Sequence, residues 1–362
     1  MEKYIYSIIL LFLIGCSGER KSIQQIKVSV DNVNNNNVAF SNHSFIKLET
    51  SDECLLENVT KTQMADDGIY LLSSFGGNVF KFSKNGEFIW KLSKGIGPDD
   101  VNFVTDINFS EADNCLYVLD GYRTIKKYNS DGSYIGKDDL VETTFLFERT
   151  SAGYMLFNPN LTTRSTYYLT LQKDGTLINS CLPILENLKK VSFMPSNVFV
   201  ASDKEDEFYI QHMLSDTIYR YRIQTNELIS EFYINTGGKS MNSRDIEFPD
   251  TRSFDEISKR EGLISGIAGL SVLNGKMYMM MYYRDKQWYI VHDLETKETI
   301  TTNRMCHGLP NSLRCVGREK DYVVYSYRPE ELYDKEDELG ETAKNLLREI
   351  KEDDNPVLVL FN

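Results

Sequence analysis

The stretch from Ile69 to Ile89, IYLLSSFGGNVFKFSKNGEFI, contains three short strand patterns separated by two turns. Ile69–Leu72 is apolar, Val79–Phe82 alternates apolar and basic residues, and a third pattern follows. The Asn85-Gly86 dipeptide before this third pattern favours a tight hairpin, because both residue types tolerate the positive φ angles of a two-residue turn. The stretch therefore predicts a meander of antiparallel strands.

The same pattern recurs along the chain. Leu116–Ile135, LYVLDGYRTIKKYNSDGSYI, repeats it with Asp131-Gly132 as the hairpin. Tyrosines equivalent to Tyr70 return at intervals of 37 to 69 residues: Tyr117, Tyr154, Tyr209, Tyr278 and Tyr322. The mean interval is close to the ~40–50 residues of one propeller blade. We predict an all-β fold, a six-bladed β-propeller whose blades are four-stranded antiparallel sheets.

The last repeat indicates how the ring closes. It supplies three strand patterns, Leu313–Val316, Tyr322–Tyr327 and Pro356–Phe361, with an amphipathic helix over Glu336–Lys351 inserted before the third. A four-stranded blade therefore lacks its outer strand. The unused pattern Ser44–Leu48 lies at the other end of the chain. We predict that it pairs with Pro356–Phe361, because this pairing closes the ring and removes two exposed sheet edges.

The N-terminus predicts export and lipidation. Residues 1–16 contain a basic residue, an apolar run and the sequence Leu13-Ile14-Gly15-Cys16, which is similar to the lipobox of bacterial lipoproteins. We therefore predict that Cys16 is lipidated, and that residues 17–43 form a tether to a propeller domain at residues 44–362. An ordinary signal peptide or a short anchor is the alternative. The lipid would make the membrane one partner of the protein.

The composition limits the other partners and the redox chemistry. The net charge of −13 argues against nucleic acid as a partner, because phosphate binding needs a basic surface. Five cysteines follow Cys16, an odd number that leaves at least one free thiol in an exported chain. Cys306 and Cys315 could pair across a loop. The histidines show no metal-ligand spacing, and Cys306, His307 and Cys315 lack a fourth ligand for zinc, so we predict neither a metal site nor a cofactor.

Four pieces of the chain carry a resemblance to a known family: the Cys16 lipobox, Ile46–Thr50, the turn Lys94–Pro98 and the final strand Asn355–Leu360. With these pieces, the chain resembles the six-bladed, NHL/TolB-like β-propeller lipoproteins of Bacteroidetes over about residues 44–362. The resemblance implies a propeller fold and a lipid-anchored place in the cell envelope, at the outer membrane. It supplies no set of catalytic residues.

Function is expected at one face of the propeller. The loops between the second and third strands of each blade lie on the same face as the links between blades, and long loops in a compact scaffold tend to carry function. Four of these within-blade loops contain an arginine: Arg123, Arg164, Arg284 and Arg328. Other candidate ligand-binding side chains lie in or beside the same loops: Tyr122, Tyr282, Tyr283 and His212.

These side chains predict a site for an anionic or polyhydroxylated ligand. Guanidinium groups bind carboxylates and phosphates through paired hydrogen bonds, and tyrosine rings can stack on sugars. The alternative is that the arginines are solvated or paired with nearby acids such as Asp120 and Asp285. We therefore expect a non-enzymatic binding scaffold whose ligand is a glycan, a peptide or an envelope protein.

An enzyme is the alternative function, because some propellers of this kind are lactonases or esterases with Ca²⁺ in the central channel. Such a site needs oxygen ligands from the inner strands. The candidates in this chain are mostly amides: Asn58, Asn102, Asp106, Asn197 and Asn311. Since a single carboxylate matches the charge of Ca²⁺ poorly, we predict no catalytic residues.

Overall fold

The computed structural model describes residues 23–30, 37–74, 76–160, 166–193, 198–202, 204, 206–243, 248–284, 286–312, 314–319 and 321–362. Its strands form six sheets, five with four strands and one with five. Within the described residues, no helix is long and apolar enough to cross a membrane.

The first half of the chain forms three blades. Two strands precede them: β1, Gln24–Lys27, and β2, His43–Lys47. Blade 1 consists of β3 Lys61–Ala65, β4 Gly68–Leu72, β5 Val79–Phe82 and β6 Phe88–Lys91. Blade 2 consists of β7 Val104–Ser110, β8 Cys115–Asp120, β9 Thr124–Asn129 and β10 Tyr134–Asp139. Blade 3 consists of β11 Leu146–Thr150, β12 Gly153–Phe157, β13 Tyr167–Lys173 and β14 Thr176–Pro183.

The second half forms the other three. Blade 4 consists of β15 Phe199–Ala201, β16 Glu207–Ile210, β17 Thr217–Arg222 and β18 Glu227–Asn235, and helix α1, Thr251–Glu261, follows it. Blade 5 consists of β19 Ile267–Leu273, β20 Lys276–Tyr283, β21 Lys286–Asp293 and β22 Thr299–Thr302. Blade 6 contains β23 Cys315–Arg318, β24 Val323–Tyr327, helices α2 Pro329–Tyr333 and α3 Glu341–Leu347, and β25 Val357–Phe361. Short 3₁₀ turns lie at Glu186–Leu188, Met241–Ser243 and Glu336–Glu338.

The prediction that an N-terminal strand closes the ring is confirmed. β2 pairs antiparallel with β25, with His43 opposite Phe361 and Lys47 opposite Val357, and so becomes the outer strand of blade 6. The strand begins one residue earlier than predicted. The inner strand β3 contacts both β7 of blade 2 and β23 of blade 6, which places the first blade beside the last.

A glycine lets the hairpin between β5 and β6 of blade 1 lie against the closing strand β2. Gly86 has a φ of +89°, and a Cβ atom at this position would lie 2.0 Å from the carbonyl oxygen of Lys47 at the end of β2. The Gly86 carbonyl accepts a hydrogen bond of 2.8 Å from the Glu49 amide. The hairpin predicted from Asn85-Gly86 is therefore also part of the closure.

The chain ahead of β2 packs on the propeller in two places. β1 lies parallel to β18, with Gln24 opposite Phe232, and makes blade 4 five-stranded. Its Ile26 side chain is fully buried. These residues belong to the segment for which we predicted a tether.

Phe40 forms the second attachment. Its amide donates a hydrogen bond of 2.8 Å to the Met305 carbonyl. Its ring stacks on Tyr278 of blade 5 and on Phe361 of blade 6, with 4.6 Å between ring centroids in each case. Residues 39–40 therefore bridge these two blades immediately before the closing strand.

The recurring tyrosine fills the space between neighbouring blades. Tyr70 of blade 1 is fully buried, and its ring stacks on Phe109 of blade 2 with 4.4 Å between centroids. Its hydroxyl donates a hydrogen bond of 2.9 Å to Asp67, so the polar end keeps a partner. Tyr117 and Tyr154, on blades 2 and 3, contact each other edge to face, with 6.0 Å between centroids. The repeat is visible in the sequence because the same interface needs the same side chain.

The insert in blade 6 differs from the predicted helix over Glu336–Lys351. It is divided into α2, a 3₁₀ turn and α3, because the chain is extended at Leu339 and Gly340 before α3 begins. The predicted apolar stripe is nevertheless buried against β24 and β25: Leu339, Ala343, Leu346, Leu347 and Ile350. The insert therefore packs on its own blade.

The structure also shows a helix that the sequence did not predict and the state of two cysteines. The long link after blade 4 contains α1, whose first turn is capped by Asp250, which accepts a hydrogen bond of 2.7 Å from the Ser253 amide. Gly262 ends the helix with a φ of +60°. Cys306 and Cys315, for which a disulfide was one possibility, are both free thiols.

Candidate functional site

The loop-rich face carries the longest connections of the described chain. The links between blades and the loops between second and third strands leave from the same ends of the sheets. Residues 236–266 join blades 4 and 5, and residues 328–356 join the second and third strands of blade 6. Long connections of this kind in a compact scaffold favour a functional face.

A cavity of about 740 Å³ opens on this face between blades 2 and 3. Its walls are the link at Glu142–Thr144, the loop ends Asn158 and Thr166, and the outer strands of blade 3. Hydroxyl groups provide much of the lining: Thr143, Thr144, Thr166, Tyr167, Tyr168, Thr170 and Ser180. The volume lies within the ~300–1,000 Å³ that small-ligand sites occupy.

Small polar side chains are the reason that this space stays open. Blades diverge toward the outside of a propeller, and the gap between blades 1 and 2 is filled by the rings of Trp90, Phe109 and Tyr134. Between blades 2 and 3, strands β13 and β14 instead present Thr170 and Ser180. These side chains are too short to fill the gap, and their hydroxyl groups can form hydrogen bonds.

Gln172 joins the two blades next to this cavity. Its side chain accepts a hydrogen bond of 2.6 Å from the Val141 amide and donates one of 3.2 Å to the Asp139 carbonyl. A second cavity, of about 410 Å³, lies between the same two blades and is lined by Gln172, Arg149 and Lys173 among others. Beside the apolar packing of Tyr117 and Tyr154, blades 2 and 3 are thus also joined by a polar bridge.

Tyr168 presents a buried polar group at the first cavity. The residue is 3% exposed, and its hydroxyl finds no hydrogen-bond partner in the part of the chain that the structure describes. Burial raises the pKa of this hydroxyl well above its ordinary value, so it remains a donor at neutral pH. A buried hydroxyl without a partner costs about 1–3 kcal/mol, and a ligand that supplies an acceptor would recover that cost.

His212, a predicted ligand-binding residue, packs beside this tyrosine. Its ring lies 4.7 Å from the Tyr168 ring and 5.9 Å from those of Phe157 and Phe193. Burial lowers the pKa of His212 to about 3, so the imidazole is neutral at physiological pH. The structure therefore places His212 in the aromatic core behind the cavity, as a neutral ring.

Arg123 and Tyr122 lie close to the wall of the cavity. The Arg123 guanidinium is exposed and donates a hydrogen bond of 2.8 Å to the Val141 carbonyl, next to the link that lines the cavity. The Tyr122 ring lies between Phe103 and Phe145, at 5.5 and 6.0 Å. Both residues therefore support the link between blades 2 and 3.

The other predicted arginines have different surroundings. Arg284 is exposed and lies 5.1 Å from the centre of the buried Tyr283 ring, while Tyr282 points to solvent. Arg328 pairs with the neighbouring acids Glu330 and Glu331, at 2.8 and 3.5 Å. Arg164 lies outside the described residues, as does Cys16. The three described arginines thus occupy separate blades, and a common arginine site stays a prediction.

Polar side chains in the central channel bind the free edges of the inner strands. An inner strand has unpaired amides on its channel side, and a buried amide needs an acceptor. Side chains of the preceding blade supply acceptors for several of them: Gln63 Oε1 accepts from Phe109 N at 3.3 Å, Asp106 Oδ2 from Phe147 N at 2.9 Å, and Glu319 Oε1 from Met64 N at 2.9 Å. These contacts couple blade 1 to blade 2, blade 2 to blade 3 and blade 6 to blade 1.

The channel carboxylates also share a cation. Lys61 Nζ lies 2.7 Å from Asp106 Oδ1, and both side chains are buried. Burial raises the pKa of Glu148 and of Glu319 to about 7. An ammonium group among these acids reduces their attraction for a divalent cation. Asn311, an expected channel ligand, instead accepts a hydrogen bond from the Met305 amide within its own turn.

In the described part of the chain, no group of three or more His, Cys, Asp or Glu side chains is arranged to hold a metal ion. Asn197 lies outside the described residues. The outer cavity residues Tyr168, Thr170 and Ser180 were missed in the sequence, because they belong to strands and the sequence argument considered loops.

Six four-stranded blades around a channel, with the ring closed by an N-terminal strand, define the class of this protein as a six-bladed β-propeller. Within that class, the chain belongs to the family described as "Domain of unknown function (DUF4934)", whose sequence profile matches residues 23–362. A comparison with curated proteins finds no match.

Solved structures include chains of similar fold. A "Putative exported protein" of Bacteroides fragilis NCTC 9343 is 17% identical, with a TM-score of 0.74, over 94% of this chain and 99% of that one. A Bacteroides caccae protein of unknown function is 14% identical, with a TM-score of 0.41, over 67% of this chain and 81% of that one. The Neurospora crassa Pan2 WD40 domain is 9% identical, with a TM-score of 0.41, over 74% of this chain and 67% of that one. The first likeness confirms the propeller fold.

Proposed function

We propose that this protein is a lipid-anchored, non-enzymatic binding scaffold of the cell envelope, and that it holds a glycan in the cavity between blades 2 and 3. The observation that carries the proposal is the hydroxyl-lined cavity of about 740 Å³ on the loop-rich face. A saccharide presents hydroxyl groups that both donate and accept, which is the chemistry that threonine, serine and tyrosine side chains complement.

The cavity also offers a place for the apolar face of a sugar ring. Tyr167 lines it and is 38% exposed, so its ring is accessible for stacking. The buried Tyr168 hydroxyl supplies a donor, and the nearby Asn158 amide group is already fixed by a hydrogen bond of 2.9 Å to the Thr143 carbonyl. Preorganised polar groups of this kind favour binding, because little side-chain freedom is lost.

Three observations support the envelope location. Leu13-Ile14-Gly15-Cys16 is similar to a lipobox, and the chain resembles NHL/TolB-like propeller lipoproteins. The name of the Bacteroides fragilis protein of similar fold describes export. Metabolic labelling with a palmitate analogue tests lipidation. We expect the full-length chain to incorporate the label and Cys16→Ala to lose it. Labelling that persists in Cys16→Ala would contradict lipidation at this residue.

Binding is tested by titrating the purified protein with a panel of bacterial envelope oligosaccharides, using calorimetry. Thr170→Phe fills the cavity and should weaken glycan binding at least about tenfold, as expected when polar contacts worth about 1.4 kcal/mol or more are lost. Ile178→Phe adds a ring on the neighbouring strand β14 outside the described cavity lining, and should leave the affinity unchanged.

The outcomes separate the remaining possibilities. Equal binding by Thr170→Phe and wild type would place the glycan elsewhere. Binding of envelope peptides or proteins with no glycan binding would reject a saccharide as the ligand. A rise in thermal stability on adding Ca²⁺, together with turnover of a lactone or ester, would overturn the non-enzymatic proposal.

A further inference from the structure

A second pocket lies on the loop-rich face, at blade 6. It has a volume of about 220 Å³ and is formed where the link from blade 5 enters β23 and where β24 ends. Its polar lining consists of Asn311, Ser312, Arg314, Tyr327, Glu331 and Lys335. The sequence argument considered only Arg328 in this region, and Arg314 was missed because it precedes an inner strand.

Strand pairing brings a second arginine, Arg328, next to Arg314 of this pocket. Arg314 precedes β23 and Arg328 follows β24, and the Ser326 amide donates a hydrogen bond of 3.0 Å to the Arg314 carbonyl across the pair. Arg314 Nη2 binds Glu331 Oε1, and Arg328 Nη2 lies 3.5 Å from the same oxygen. One carboxylate oxygen therefore serves two guanidinium groups.

The two guanidinium groups retain unused donors. Arg314 Nη1 and Arg328 Nε are buried, and neither finds a hydrogen-bond acceptor among the residues that the structure describes. Burial and the neighbouring Arg328 charge lower the pKa of Arg314. Desolvated, unpaired N–H groups of a cation favour an additional anionic acceptor.

The charges of the pocket leave room for such an acceptor. Arg314, Arg328 and the exposed Lys335 face two acids, Glu330 and Glu331. A structural role accounts for part of this set, because Glu331 also accepts a hydrogen bond of 3.1 Å from the Arg328 amide and so fixes the start of α2. That role occupies both carboxylate oxygens of Glu331, and Arg314 Nη1 and Arg328 Nε still find no acceptor among the described residues.

We propose that the blade 6 pocket binds an oxyanion, a carboxylate or phosphate group of an envelope ligand, through the guanidinium groups of Arg314 and Arg328. The small volume suits a single charged group rather than a whole saccharide. The site lies on a different blade from the cavity between blades 2 and 3, so it does not depend on the glycan proposal.

Calorimetric titrations of the purified full-length protein test the pocket with three probes: glucuronate, inorganic phosphate and glucose. Glucose matches glucuronate except for the carboxylate. We expect saturable binding of glucuronate or of phosphate with one site per chain, and no binding of glucose to this pocket. The stronger of the two anionic probes identifies the chemistry as carboxylate or as phosphate.

Variants locate the bound anion. Arg314→Gln should weaken its binding at least about tenfold, since one charge-assisted pair of hydrogen bonds is lost. Arg252→Gln is the control, because Arg252 is an exposed arginine of α1 that pairs with Glu256 at 2.9 Å. Should Arg314→Gln not fold, Lys335→Gln at the exposed rim is expected to weaken binding about threefold.

Two results would overturn the proposal: no saturable binding of either anionic probe, or affinities in Arg314→Gln and Lys335→Gln equal to wild type. The Thr170→Phe variant should leave anion binding unchanged. Loss of anion binding in that variant would reject a separate site, whereas loss of glycan binding alone would concern only the cavity between blades 2 and 3.

Discussion

Two channel carboxyl groups should make a contribution to the stability of the propeller that falls as the pH rises from about 5 to about 7.5. Burial raises the pKa of Glu148 and of Glu319 from 4.5 to about 7. The folded chain therefore keeps protons that the unfolded chain releases above pH 4.5. The stabilisation is complete below about pH 4.5 and is lost as the pH approaches 7.

The magnitude follows from the size of the shift. A change in pKa from 4.5 to about 7 corresponds to about 3 kcal/mol for one group, since one pKa unit is about 1.4 kcal/mol. Both side chains keep some contact with solvent, which screens their charged forms. We therefore expect about half of that value, about 1.5 kcal/mol per group.

Urea unfolding at several pH values between about 5 and 7.5 measures this loss. Glu148→Gln removes one titrating group and should reduce the loss by about half. Glu298→Gln, at an exposed carboxyl of blade 5, should leave the profile unchanged. Buried His212, whose pKa is lowered to about 3, contributes the opposite slope in wild type and variant alike, so the difference between the two profiles is the test. A Glu148→Gln profile that equals the wild-type profile would refute the argument.

Two further substitutions test the ring itself by urea unfolding. Gly86→Ala should destabilise the protein by about 2–3 kcal/mol, because the new Cβ would meet the Lys47 carbonyl. Gly175 has a similar φ but an open environment, so the control Gly175→Ala should cost only about 1 kcal/mol. Equal costs would contradict a role of Gly86 in closure. Lys61→Met should cost about 3–5 kcal/mol, because Asp106 stays buried without its cation. The control is Lys127→Met, which removes a partly exposed ion pair with Asp138 and should cost about 1 kcal/mol. A loss in Lys61→Met no larger than in the control would show that the buried ion pair is not needed.

The fold could be predicted because its unit is local. Hairpin chemistry at Asn85-Gly86 and the tyrosine at Tyr70 are visible within one blade; the tyrosine returns in every repeat, and an Asp-Gly hairpin returns in blades 2 and 3. Closure by β2 followed from counting strands, since a missing partner at one end matched a spare strand at the other. These arguments need no knowledge of how distant side chains meet.

The remaining features depend on distant contacts. β1 has four residues, and it becomes a strand only because β18 offers an edge more than 200 residues later. The cavity between blades 2 and 3 exists because Thr170 and Ser180 face another blade, which no local pattern shows. Arg314 and Arg328 meet through the pairing of β23 with β24, so a survey of loops found only one of them.

The order in which the N-terminal segment is attached determines how the ring would bear a mechanical load. A force applied at residue 23 meets the four residue pairs between β1 and β18 first, and the stacked ring of Phe40 second. Only after both have yielded does it reach β2, whose loss would open the ring at β25. In a chain anchored through its N-terminus, a pull from the membrane would therefore break these two attachments first, and β2 would stay paired with β25 until both had yielded.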